Sequence, residues 1–242
     1  MQSMTERQKI ILMAIIEEFM NSADEIGSLS LLEKHNLGVS SATIRNEMAR
    51  LMDLGFLEKS HMSSGRFPTD QALRLYVSRV LNSTSLNPLI TVDIRQGIFR
   101  DRFSKDKVLD AILTLLSQKT ESIAFVVIEG ICRYWGLSNI FKYDELKDIN
   151  TIQRILNVIE DVDFLNNMMS KYSGSGVSLL IGEESGIKDL EGCTLMFTKL
   201  PFWDTNDAHV GVIGSKRMDY SNVVPALREV QSAMKSSMRG WN

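Results

Sequence analysis

The sequence predicts an α+β chain of two domains, a winged helix-turn-helix domain followed by an antiparallel sheet domain backed by helices. Three observations predict it. Apolar residues recur at helical spacing in three successive segments and then alternate through FLEKS, as a half-buried strand requires. The stretch NSTSLN at 82–87, ahead of Pro88, has the composition of a connection. Beyond it the apolar runs IAFVVIEG, CRYWGL, VSLLIGEE, CTLMFTKLPF and HVGVIGS follow one another too closely for helical crossovers throughout, which favours antiparallel pairing. The expected division is 1–81 for the first domain, 82–105 for a linker and 106–242 for the second domain.

In chain order, Thr5 to Met20 reads as a helix with Thr5 as N-cap and Ile11, Ile15, Glu18 and Phe19 along one row. Ser28 to His35 is a short second helix whose Leu29, Leu31 and Leu32 pack on the first, and Asn36-Leu37-Gly38 supplies a turn. A third helix follows, with Ser40 or Ser41 as its N-cap, and stops at Leu54-Gly55, where Gly55 takes the left-handed conformation. HMSSGRFP turns FLEKS back into a second short strand that Pro68 ends. Thr69 then caps a helix to about Leu81 that buries Leu73, Tyr76, Val77 and Val80.

The third helix carries the chemistry. Ile44, Met48 and Leu51 share a packing face, while Ala42, Asn46, Ala49 and Asp53 point the other way, flanked by Arg45 and Arg50. Small residues at the N-terminal end let the backbone approach a DNA major groove, hydroxyls and helix N–H groups meet phosphates, and Asn and Arg pair with base edges. Lys59, His61, Ser63, Ser64 and Arg66 lie along the wing beside it, where Arg66 at the Gly65 turn is placed for a minor groove. The plain alternatives are a solvated helix face and a polar hairpin.

In the second domain Asp106 to Ser117 reads as a helix and SNIFKYDELKDI as a helical turn and connection. Asn150 to Met169 reads as one long amphipathic helix, and Asn222 to Met238 closes the chain. Such a domain binds a small molecule, dimerises, or does both; sequence leaves these open.

With 44% hydrophobic and 24% charged residues the composition is globular, and no apolar run of about 18 residues suggests a membrane span. A signal peptide is disfavoured by Glu6, Glu17 and Glu18 in the N-terminal stretch and by the lack of a small-residue cleavage site; a cytoplasmic location is expected. Cys132 and Cys193 sit in strand-like runs without a CxxC, so buried thiols in a reducing compartment are expected. His35, His61 and His209 show no ligand spacing, and no metal or cofactor is expected. A net charge of −3 does not advertise nucleic-acid binding, so DNA contact must rest on local charge from Arg45, Arg50, Lys59, Arg66, Arg74 and Arg79.

These residues resemble the heat-inducible transcription repressors of the HrcA type. The resemblance rests on GVSSATIRNEMARLMDLGFLEKSHMSSGRFPT in the first domain and on GLSNIF, IGEES and GVIGSKRMDYSNVVPALREV in the second. It implies a homodimer with a GAF-like C-terminal domain, bound to an inverted-repeat operator upstream of chaperonin and other chaperone operons and assisted by chaperonin. Carried over by position, Ser40, Ser41, Thr43, Arg45 and Asn46 form the operator-reading end of the helix, and Ser63, Ser64, Gly65 and Arg66 the wing. Arg217, Met218, Asp219 and Tyr220 match a family signature read as structural, with Asp219 or Ser221 capping the last helix and Tyr220 packing. Family members are usually longer, with an inserted dimerisation domain between strands like IAFVVIEG and CRYWGLSNIF; here those strands run almost back to back, so the insertion is expected to be absent.

Two functions compete at this level: a sequence-specific repressor released on heat stress, and a ligand-sensing or protein-interaction module whose winged helix no longer binds an operator. An enzyme is disfavoured. Glu183 and Glu184 are adjacent on a strand end and so face apart, and the SGSG stretch at 173–176 lacks the lysine and spacing of a phosphate loop.

Overall fold

The computed structural model describes residues 4–22, 25–59, 65–83, 86–172, 174, 176–203, 205 and 207–239. The chain is α+β and divides into two compact units, 1–82 and 83–242.

In the first unit, helix α1 (Glu6–Asn21) starts with a reciprocal cap. The Thr5 hydroxyl accepts the Gln8 N–H, and the Gln8 side chain accepts the Thr5 N–H. Helix α2 (Ser28–Lys34) buries Leu31, but Leu29 and Leu32 are exposed, contrary to the expectation that all three pack on α1. A seven-residue helix has room for one inward row, and Leu31 fills it. Helix α3 (Ser41–Asp53) is capped by Ser40 and ends before Gly55, whose φ of 79° is left-handed. Strands β1 (Leu57–Lys59) and β2 (Arg66–Pro68) pair antiparallel, and Ile26 adds a bridge to Arg66 with two backbone hydrogen bonds of 3.2 Å. Helix α4 (Asp70–Ser83) begins where the Thr69 hydroxyl accepts the Ala72 N–H.

The second unit opens with α5 (Pro88–Asp101), which occupies most of the stretch expected to be a linker at 82–105. Asn87 caps it through the Leu89 N–H, and Pro88 sits at the first helical position, where its missing N–H costs nothing. It packs on α6 (Lys105–Thr120) and α9 (Tyr220–Arg239). The sheet has the order β4-β3-β7-β6-β5, antiparallel throughout, from β3 (Ile123–Ile128), β4 (Ile131–Trp135), β5 (Ser178–Ile181), β6 (Cys193–Lys199) and β7 (Ala208–Ser215). One face carries Phe125, Val127, Leu195 and Phe197 into a core with α7 (Ile149–Glu160) and α8 (Val162–Ser170). The other face receives α6 and α9. Gly211 is required because a Cβ there would meet the Phe125 ring at 2.4 Å and the Met196 carbonyl at 2.5 Å.

Three further expectations are corrected. The single helix over 150–169 is two helices, because Asp161 leaves helical geometry and its carboxylate takes the Phe164 N–H to start α8. Glu183 and Glu184 lie in a 3-10 turn (Gly182–Ser185) rather than on a strand, with Glu184 accepting the Ile181 N–H. Cys132 is only half-buried; Cys193 is buried. Strands β3 and β4 are joined by two residues, Glu129 and Gly130, with φ of 51° and 73°, the geometry of a tight hairpin turn.

Candidate nucleic-acid interface

Helix α3 presents the face that the periodicity assigns. Ile44, Met48 and Leu51 are buried, whereas Ala42, Arg45, Asn46, Ala49, Arg50 and Asp53 are exposed. At its start the Ser40 hydroxyl accepts the Thr43 N–H at 3.2 Å and lies 3.0 Å from the Thr43 hydroxyl, which decides between the two serine caps; Ser41 and Thr43 are half-buried. Among the described residues no side chain caps the other N–H groups of the first turn, which makes this end attractive to an anion.

What holds the helix in place is Glu47, 2% exposed, on the packing side. Its carboxylate accepts from Arg7 Nε at 2.9 Å, Arg7 Nη2 at 2.5 Å and Gln8 Nε2 at 3.0 Å, with Arg50 at 3.6 Å. Burial pushes this carboxyl up, but the hydrogen bonds from Arg7 and Gln8 and the charges of Arg7 and Arg50 outweigh it and hold it below the ordinary value of 4.5. Gln8 thus serves both the α1 cap and the α3 anchor. Glu18 does the same for α2: Lys34 and, at 3.0 Å, His35 Nε2 reach it, and the Lys34 hydrogen bond leads in lowering its pKa despite burial. Sequence reasoning missed Glu47. The available signal was a carboxylate next to Met48 on an apolar stripe, which must find a buried partner.

Beside α3, Lys59 and Arg66 stand opposite each other in the β1–β2 ladder, and Arg66 and Arg45 line one shallow cleft of about 410 Å³ with Ile26, Ser28, Leu29 and Met48. Lys59 is exposed and Arg66 half-buried. Gly65 is buried, and a Cβ there would meet Glu25 at 2.2 Å, so it serves close packing at the base of the loop. His61, Ser63 and Ser64 lie outside the described residues. The structure therefore brings Arg45, Arg66 and Lys59 to one side of the unit, with Asn46 and Arg50 on the adjoining helix face.

The second-domain motifs serve architecture. Arg217 donates to Glu145 from Nε at 2.8 Å and Nη2 at 2.9 Å, and the Ser215 hydroxyl also reaches Glu145. Asp219, not Ser221, caps α9 by accepting the Ser221 N–H at 3.0 Å. The buried Tyr220 hydroxyl donates to the Lys216 carbonyl and lies 2.9 Å from the Thr194 hydroxyl. Asn139 of GLSNIF donates to the Ser122 carbonyl and the Ser117 hydroxyl, tying α6 to β3. Burial raises the Cys132 thiol to about 11 and the Cys193 thiol to about 12, so neither is a thiolate at neutral pH. Among the described residues no group of three or more metal-ligating side chains converges, and no helix is long and apolar enough to cross a membrane.

Comparison with known proteins gives a consistent result. Residues 31–224 match the HrcA family, described as "HrcA protein C terminal domain". The heat-inducible transcription repressor HrcA of Clostridium tetani is 26% identical over 342 aligned positions covering 99% of this chain and 97% of its own. The repressor of the same name from Pseudarthrobacter chlorophenolicus is 42% identical over 133 positions, 54% of this chain and 39% of its own. An alignment of 342 positions to a chain of 242 residues leaves about a hundred positions of the clostridial relative without a counterpart here. Among solved structures, one described as "Crystal structure of a hypothetical protein at 2.2 A resolution" has the same fold, with a TM-score of 0.83 over 99% of this chain and 100% of its own at 19% identity.

Proposed function

The chain belongs to the HrcA family of heat-inducible transcription repressors, and from that premise we propose that it represses chaperonin and other chaperone operons as a dimer on an inverted-repeat operator. The first unit acts as a winged helix-turn-helix, with α3 in the major groove and the β1–β2 hairpin along the backbone. The second acts as a GAF-like domain that pairs two copies. Two-fold symmetry in the protein then matches two-fold symmetry in the operator, and the bound dimer blocks polymerase. Heat releases repression by lowering the population of folded, paired protein, and chaperonin restores it.

The observation that carries this reading is the exposed α3 face. Ala42 and Ala49 leave room for the backbone to approach, Arg45 and Asn46 present bidentate donors and acceptors, and Glu47 anchors the helix from behind. Lys59 and Arg66 supply phosphate contacts whose strength falls with salt. The test is fluorescence-anisotropy titration of a chaperonin-operon promoter fragment against scrambled DNA at two salt concentrations. Arg45→Ala and Asn46→Ala should each weaken specific binding by about 1–3 kcal/mol per lost bidentate contact, while Arg66→Ala weakens both DNAs and reduces the salt slope. Equal, feeble binding to both DNAs would sink the repressor reading and leave the ligand-sensing or protein-interaction module.

A further inference from the structure

The sheet of the second unit has two edges of different character. At one, β5 is half-buried or buried along its length, and none of its large apolar side chains is exposed. At the other, β4 exposes Ile131 and Trp135 at 57% each and Tyr134 at 37%. Exposed strand edges are usually blunted by proline, a bulge or outward charge, because their unpaired backbone groups template further pairing. The β4 sequence ICRYW has no proline and pairs with β3 in continuous register, without a bulge. Its one charge, Arg133, is drawn onto Asp106 at 2.5 Å and Asp110 at 3.8 Å, both on α6.

The hairpin decides which backbone groups face out. A two-residue turn makes Ile128 and Ile131 a mutually hydrogen-bonded pair, and the alternation of an antiparallel ladder extends that bonding to Arg133 and Trp135. The N–H and C=O groups of Cys132 and Tyr134 therefore point to the outer edge. Turn and loop bonds engage neither among the described residues.

We propose that this edge is the contact with a second copy of the chain, β4 running antiparallel to its equivalent about a two-fold axis through Arg133. In that register Cys132 exchanges both backbone hydrogen bonds with Tyr134 of the partner subunit, and Tyr134 exchanges both with Cys132 of the partner subunit. All the outward groups are satisfied. A centre on Cys132 would set Tyr134 against the hairpin turn, and a centre on Tyr134 would set Cys132 against the chain beyond the strand, so each satisfies half as many.

Side chains agree with the same register. Ile131 falls opposite Trp135 of the partner subunit, once on each side of the axis, forming two apolar cross-strand pairs. Arg133 meets Arg133 of the partner subunit, but each guanidinium brings Asp106 and Asp110 with it, so carboxylates outnumber cations at the axis. The contact is thus self-complementary in backbone and apolar surface, as an isologous interface must be, and the paired aspartates keep the two Arg133 guanidinium groups from facing each other uncompensated. The two sheets become one of ten strands.

The inference rests on the reading that two copies act together, and its test uses no DNA, so that its failure and that of operator recognition are told apart. Residues 133 of the two copies form a non-hydrogen-bonded pair, about 4.5 Å apart at Cα, within disulfide range. Full-length Arg133→Cys in a Cys132→Ser background should therefore cross-link almost completely under mild oxidation and separate again on reduction. Tyr134→Pro removes an outward N–H that β3 does not use. It should abolish the cross-link in that background and move the sedimenting species from twice the chain mass to the chain mass with the circular dichroism spectrum unchanged. If the proline variant unfolds, Trp135→Lys, which sets a charge against Ile131 of the partner subunit, must produce the same loss. A sedimenting dimer that fails to cross-link at residue 133 overturns the edge contact and leaves pairing elsewhere. A monomer at every attainable concentration overturns both the edge contact and the two-copy reading.

Discussion

Glu47 and Glu145 are buried or half-buried carboxylates that each hold an arginine, and the contrast between their surroundings separates the two units. Glu47 takes Arg7 and Gln8, and the Arg7 side chain remains 53% exposed. Glu145 takes both donors of Arg217 and the Ser215 hydroxyl, and the Arg217 side chain is only 10% exposed. If its partner is lost, Arg7 can return to water; Arg217 cannot, and an unpaired buried charge is what makes breaking such a pair costly. The first clamp holds a helix whose outer face is exposed. The second closes a domain, linking the 3-10 turn at Asp144–Leu146 to the end of β7 and the start of α9.

The largest effect should come from the second clamp. Glu145→Ala leaves Arg217, whose side chain is 10% exposed, without its carboxylate and should cost about 3–5 kcal/mol of stability, read as a drop in the urea midpoint of the second unit. Glu47→Ala should cost less, about 1–3 kcal/mol, because Arg7 is resolvated. Yet this variant should also weaken operator binding although Glu47 lies on the buried side of α3. Equal losses of stability from the two variants would erase the distinction, and an unchanged operator affinity for Glu47→Ala would remove the claim that this clamp orients α3.

Acid should act on both clamps in the same direction and more gently. Burial pushes both carboxyls up, and hydrogen bonds with the nearby cations outweigh it, leaving the folded pKa of Glu47 and of Glu145 below 4.5. A depressed carboxylate contributes its full stability above the unfolded value and loses it as pH falls through the folded one. Stability should therefore be flat above about pH 5 and decline below 4.5, the reference value for both groups. Glu145→Gln should flatten that decline; an unaltered acid slope in this variant would show that other groups govern it.

The parts of this molecule that were legible in the sequence are those set by short-range rules. The buried row Ile44, Met48 and Leu51, the Thr5 and Thr69 caps and the left-handed Gly55 each depend on neighbours within a turn or two. The clamps were not legible, because Arg7 and Glu47 are 40 positions apart and Glu145 and Arg217 are 72 apart. Helix α5 was misread for a different reason. Asn87-Pro88 has the composition of a loop and the chemistry of a helix start, and composition alone does not distinguish them. The break at Asp161 shows local capping prevailing over a continuing apolar period. On the candidate interface, the exposed face of α3 was readable in full, while the placing of Arg45 and Arg66 on one cleft needed the bridge from Ile26 to β2.

If α3 reads operator DNA in two symmetric copies, hydroxyl-radical footprinting of the full-length protein on an inverted-repeat operator must show both copies. Two protected patches are expected on one face of the duplex, separated by about one helical turn or a multiple of it, both weakened by Arg45→Ala. Protection that ignores the repeat, or that survives unchanged in Arg45→Ala, would contradict it.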